Sequence, residues 1–108
     1  MKRRKGLERE GWRIGTAAEF LGLSEDEAAF IEMKLSLAEG LRAIRLEESL
    51  TQDEVATLVG SSQSRVAKME AADPSVTVDL LVRTLLRLGA GRERVAELVG
   101  DPTPAPLP

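Results

Sequence analysis

The chain has no cysteine, no histidine and no tyrosine, and its aromatic residues are one tryptophan and two phenylalanines. Without cysteine there is no disulfide and no thiolate metal site; without histidine there is no imidazole ligand and no histidine general base. An aromatic share of 3% against 43% hydrophobic residues means that any core is built from Leu, Val, Ile, Ala and Met. Such aliphatic, helix-favouring side chains suit a helical bundle better than a sheet. No apolar run approaches the roughly twenty residues that cross a bilayer, and no signal-peptide pattern is present, so we expect a soluble cytoplasmic protein without a membrane partner. The 108 residues fit one small domain.

Acidic charge is in slight excess, with a net −3. Its distribution matters more than its total. Residues 1–16 carry +4, residues 17–36 carry −4, and the segment 50–73 carries −2. The cations nearest the motif described next are few: Arg65, Lys68 and part of the Arg42 neighbourhood.

Residues 50–70 hold the most informative pattern. Thr51 and Glu54 form a capping box, with Leu50 and Val55 placed as a hydrophobic staple. Val55, Ala56 and Val59 share one helical face, and Gly60 stands where a left-handed residue stops the helix. After the turn, Val66 and Met69 point inward, leaving Gln63, Ser64, Arg65 and Lys68 outward. Ala56 is small enough for a second helix to cross closely. An amide-bearing helix N-terminus is what major-groove reading requires: glutamine matches adenine N6 and N7, and lysine or arginine favours guanine O6 and N7.

The run Leu41-Arg42-Ala43-Ile44-Arg45, Leu50-Thr51-Gln52, Val55-Ala56, Val59 to Val66 and Met69-Glu70 resembles the XRE family of helix-turn-helix proteins, over about residues 37–99. That resemblance implies an all-α, five-helix lambda-repressor-like DNA-binding domain with an N-terminal helical extension. It implies a phosphate contact from Gln52, groove-facing positions for Ser62, Gln63, Ser64 and Lys68, and a place near a backbone or base edge for Arg65. It also implies a structural ion pair between Arg45 and Glu70. Two residues depart from the family pattern: Ser61 stands at a usually apolar position, and Ser49 replaces a usual glycine. With Trp12 to Thr16 and Phe20 to Ser24 upstream, the longer stretch is similar to HigA-type antitoxins, whose partner is a RelE/HigB-like toxin.

Along the chain, residues 1–11 read as a basic flexible arm and residues 12–36 as the helical extension. Residues 37–100 form the helix-turn-helix domain, and residues 101–108 a proline-rich tail that cannot be helical. Thr16 to Glu19 and Ser24 to Glu27 are further capping boxes, the first opening a helix to Leu21 that Gly22 ends. From the second, a helical pattern runs to about Glu48 with Gly40 inside it. Its apolar residues fall in two stripes, Ile31, Leu35, Ala38 and Leu41, and Phe30, Met33, Leu37 and Ile44. Thr77 caps a helix from Val78 to Leu88 that Gly89 stops, and a last helix runs from Arg92 to Val99, ended by Gly100.

Nothing here suggests catalysis or a cofactor. The acids Glu25, Asp26, Glu27 and Glu32 gather at a helix start, where the dipole favours them. Ser61, Ser62 and Ser64 have no histidine to activate them, and no glycine-rich loop cradles a phosphate. The expected function is therefore a homodimer on double-stranded operator DNA, serving as an antitoxin that holds its toxin and represses its own operon. The alternative is a stand-alone repressor of phage or metabolic type.

Overall fold

Caps and turns decide where each helix of this chain begins and ends. A computed structural model describes residues 21–100, and among these there are five helices and no strand. They are α1 (Glu25–Glu47), α2 (Gln52–Val59), α3 (Gln63–Glu70), α4 (Val78–Leu88) and α5 (Arg92–Gly100). None is long and apolar enough to cross a membrane. The chain divides between Glu32 and Met33 into two units, each taken by itself below. The basic arm, the Thr16 box, Trp12 and the proline-rich tail lie outside the described residues.

In the first unit, Gly22 adopts the left-handed backbone of a helix stop (φ 75°). Two residues on, the Ser24 amide donates to Glu27 Oε1 at 2.9 Å while Ser24 Oγ accepts from the Glu27 amide at 3.3 Å. This reciprocal box opens α1, and Glu25, Asp26 and Glu27 in the first turn complement the helix dipole. The Ser24 hydroxyl also donates to Asp26, which holds that carboxyl below its ordinary range.

In the second unit, the core is aliphatic. Leu37, Leu41, Val55, Val66, Met69, Leu81 and Leu85 are fully enclosed, drawn from α1 to α4. Val95, Leu98 and Val99 of α5 pack against this core from its edge, half-buried. The two apolar stripes expected along α1 are not continuous core: Ile31 and Leu35 are 42% and 50% exposed, and burial begins only at Ser36. Gly40 lies under α5. A Cβ there would stand 2.6 Å from Leu98 Cδ2 and 3.0 Å from its Cγ, so the glycine serves close packing of α5. Gly100 is the last residue of α5, not a stop placed after Val99.

Four helices end alike. After α2, Gly60 N–H donates to Thr57 O and Ser61 N–H to Ala56 O, the paired bonds of a Schellman motif. After α4, Gly89 and Ala90 repeat this onto Leu86 and Leu85. The ends of α1 and α3 have the same bonding without glycine: Ser49 (φ 58°) and Ala72 (φ 53°) take the left-handed position. Ser49 therefore does terminate α1 before Leu50, at the strain that a Cβ brings to this conformation. Ser49→Gly and Ala72→Gly should each raise stability by about 0.5–1 kcal/mol, the relief of that strain less the added freedom of the unfolded chain. Urea denaturation checks this as a higher midpoint at unchanged slope; no shift in either variant refutes it.

Candidate nucleic-acid interface

The two short helices α2 and α3 pack against each other, and α2 also packs on α4. Each has only 8 residues, too few for independent stability, so their caps and buried faces carry them. Thr51 caps α2 with a complete box: its hydroxyl oxygen accepts from the Glu54 amide at 3.0 Å, and its own amide donates to Glu54 Oε1 at 2.8 Å. Leu50 is partly buried against the core, to which enclosed Val55 belongs. Val55, Ala56 and Val59 are buried, Gly60 turns the chain at φ 71°, and Ser62 caps α3 by accepting from the Arg65 amide at 3.2 Å. Val66 and Met69 then bury the inner face of α3.

The outer face of α3 carries Gln63, Ser64, Arg65 and Lys68, all exposed, with Ser62 exposed at its cap. Gln52, at the first position of α2, is half-buried beside it. Six residues expected at the interface thus share one region, though not as independent side chains. Arg45 donates from Nε to Glu70 Oε2 at 2.6 Å and from Nη2 to Glu70 Oε1 at 3.0 Å, a two-pronged ion pair whose side chains are only 12% and 5% exposed. Its Nη1 donates to the Leu50 carbonyl at 3.0 Å. The bond to Glu70 holds the Arg45 guanidinium protonated even beyond its ordinary range.

From that pair a chain of bonds leads to the surface. Gln52 Nε2 donates to Glu70 Oε1 at 3.1 Å, and Gln63 Nε2 donates to Gln52 Oε1 at 2.7 Å. A carboxylate only accepts, so the Gln52 amide must turn its nitrogen to Glu70 and its oxygen to Gln63. Gln63 is oriented in turn. Its Oε1 and one Nε2 hydrogen remain free, and Gln52 keeps one hydrogen of its own. Arg45–Glu70, a structural pair by family resemblance, also sets the amide orientation of Gln52 and Gln63. The structure adds Ser62 as a cap, for which a hydroxyl residue followed four positions later by the inward Val66 is a visible signal.

Beyond the turn after α3, Asp73 accepts from the Ser75 amide at 2.9 Å and from the Ser75 hydroxyl, which holds its carboxyl below the ordinary range. Lys34 donates to the Asp73 carbonyl at 3.1 Å. Among the described residues no cluster of acids could hold a metal ion.

Residues 41–89 match a family model described as helix-turn-helix. The matched segment holds α2, α3 and α4, and the described residues form an all-α, lambda-repressor-like fold. No curated protein and no solved structure matches the chain.

If Arg45 and Glu70 act as one buried unit, Arg45→Met strands the Glu70 charge and should cost about 3–5 kcal/mol. The double variant Arg45→Met with Glu70→Met should recover most of that loss, because an apolar pair leaves no charge unpaired. Chemical denaturation of both variants checks this; equal losses in the single and the double variant contradict it.

Proposed function

We propose that this protein is a sequence-specific DNA-binding transcription regulator that lays α3 in the major groove. The observation that carries this reading is the bond chain from Glu70 through Gln52 to Gln63. It leaves Gln63 with one free acceptor and one free donor on an exposed amide at the first position of α3. That edge matches adenine, whose N6–H donates and whose N7 accepts. Ser64 and Lys68, one and five residues further on, supply the remaining base contacts. Gln52, with its spare N–H, the Ser62 hydroxyl and Arg65 fix the register on phosphates. α3 itself carries two exposed cations, Arg65 and Lys68, so a single copy binds weakly and a homodimer is required. Two copies on a pseudo-palindromic operator place half-site centres about 34–36 Å apart, or a multiple of that.

The finer reading is an antitoxin that holds a RelE/HigB-like toxin and represses the shared operon. It rests on the HigA-type likeness of Trp12 to Ser24. A stand-alone repressor uses the same interface without a toxin, and a plain regulator is the reading if no toxin exists.

Gln63→Ala should relax preference at one base pair per half-site by about 1–3 kcal/mol while the fold stays intact. Selection of half-sites from a randomised duplex pool, with binding measured at two salt concentrations, reads this directly. Unchanged preference in the variant removes Gln63 as the reading residue, and salt-independent binding of the parent protein removes the DNA reading itself. For the antitoxin reading, co-expression with the adjacent gene should give a stable complex and rescue growth from that gene's product. A neighbour that neither binds nor inhibits growth leaves the plain regulator.

A further inference from the structure

A cavity of about 420 Å³ opens between the turn after α2 and the helix α4. Three guanidinium groups line it, Arg65 from the first turn of α3 and Arg83 and Arg87 from α4, and no acidic residue does. Arg65 has no ion-pair partner among the described residues. Arg87 uses one Nη1 hydrogen on the Val59 carbonyl at 3.1 Å, which ties α4 to the end of α2 and leaves its other donors uncommitted. Arg83 pairs with Asp79 at 3.1 Å, but both side chains are well exposed, 66% and 76%, and such a pair exchanges readily for a stronger partner. Ser61 and Ser62 of the turn and Thr84 of α4 also line it, and the Ser61 hydroxyl oxygen is buried without a hydrogen-bond partner. Buried polar atoms are rarely left so unless a ligand or water satisfies them.

We propose that this cavity binds a phosphate-type anion. A carboxylate accepts within a single plane, whereas a tetrahedral phosphate takes donors from several directions. Arg65, Arg83 and Arg87 approach from two helices and supply the charge; rotation of Ser61 about χ1 supplies a hydroxyl donor. Occupancy joins α4 to the first turn of α3, the turn that Ser62 caps and that carries Gln63 and Ser64. The anion's source is either a free phosphorylated small molecule or a backbone phosphate of bound duplex.

The test titrates the full chain, without DNA, with sodium phosphate and then pyrophosphate, against sodium chloride of equal ionic strength. Saturable amide shifts at Gly60, Ser61, Ser62 and Arg83, together with a rising thermal midpoint, are expected. Arg83→Gln and Arg65→Gln should each weaken the response about tenfold or more, and Arg92→Gln, away from the cavity, should leave it unchanged. Duplex binding in phosphate-free buffer separates the sources. If a DNA phosphate fills the cavity, phosphate competes with duplex and Arg83→Gln lowers the salt slope by about one. If a free anion fills it, the slope is unchanged and phosphate binds alongside DNA. No saturable response to either anion together with an unaltered salt slope overturns the proposal, as does a response that persists undiminished in both arginine variants. The anion titration needs no duplex, so a chain that takes up phosphate and ignores DNA upholds the cavity and removes the DNA reading.

Discussion

Arg45 is the side chain through which three elements of this domain are held in one geometry. It stands in the last turn of α1, donates to the Leu50 carbonyl ahead of α2, and forks onto Glu70 at the end of α3. Removing two charges from water is costly, and their attraction offsets that only when the remaining donors and acceptors are also satisfied. Here they are: Glu70 Oε1 accepts from both Arg45 and Gln52, and Arg45 donates to Glu70 and to a backbone carbonyl. A hydrophobic pair would fill the same space at less desolvation cost. It would not tell the Gln52 amide which way to face, and with Gln52 free to flip, Gln63 would have no fixed donor edge. Conformational specificity is the gain that the ion pair offers in return for its burial.

The same economy of means governs the helix ends. With α2 and α3 only two turns long, their position depends on abrupt entry and exit. Hydroxyl caps at Thr51, Ser62 and Thr77 satisfy the first amides, and paired Schellman bonds satisfy the last carbonyls of α1 to α4. Glycine fills two of those four left-handed positions. At the other two, Ser49 and Ala72, packing of the flanking Leu50, Ala72 and Val76 against the core outweighs the local strain. Tertiary burial therefore sets the backbone there, against local preference.

Much of this was legible in the residues. Cap followed by apolar periodicity and a glycine stop located α2 and α4, because capping and burial act on the same few positions and agree. The inward set Val55, Ala56, Val59, Val66 and Met69 is the buried set. Less was legible where the deciding contact is distant. Nothing local says that Leu35 faces out while Ala38, three residues on and on the same stripe, is enclosed; that depends on distant packing partners. Gly40 looked equally like a bend or a contact until Leu98, 58 residues later, was placed over it. The Gln52 and Gln63 side chains were legible as outward and polar, but their mutual bond spans 11 residues and depends on Glu70 behind it. The arginine-lined cavity arises only when α4 folds back on the turn, so no spacing announces it.

An interface built this way couples stability to recognition. Most DNA-binding surfaces draw affinity from cations, which act at a distance and tolerate loose positioning. With a net charge of −3, the proposed interface would draw more of its discrimination from hydrogen bonds, which weaken steeply when misaligned. A glutamine held by a buried carboxylate meets that demand: two successive amides transmit the rigidity of the core to the surface, and ordering Gln63 is done during folding and not at the moment of binding. On the proposed reading the cost falls on evolvability, since a change that loosens Glu70 would disturb base preference as well as the fold. Lys68, exposed and outside this chain of bonds, is free to vary without either penalty. If α3 reads bases as proposed, divergence in base preference is therefore physically easiest at Lys68 and Ser64, and hardest at Gln63.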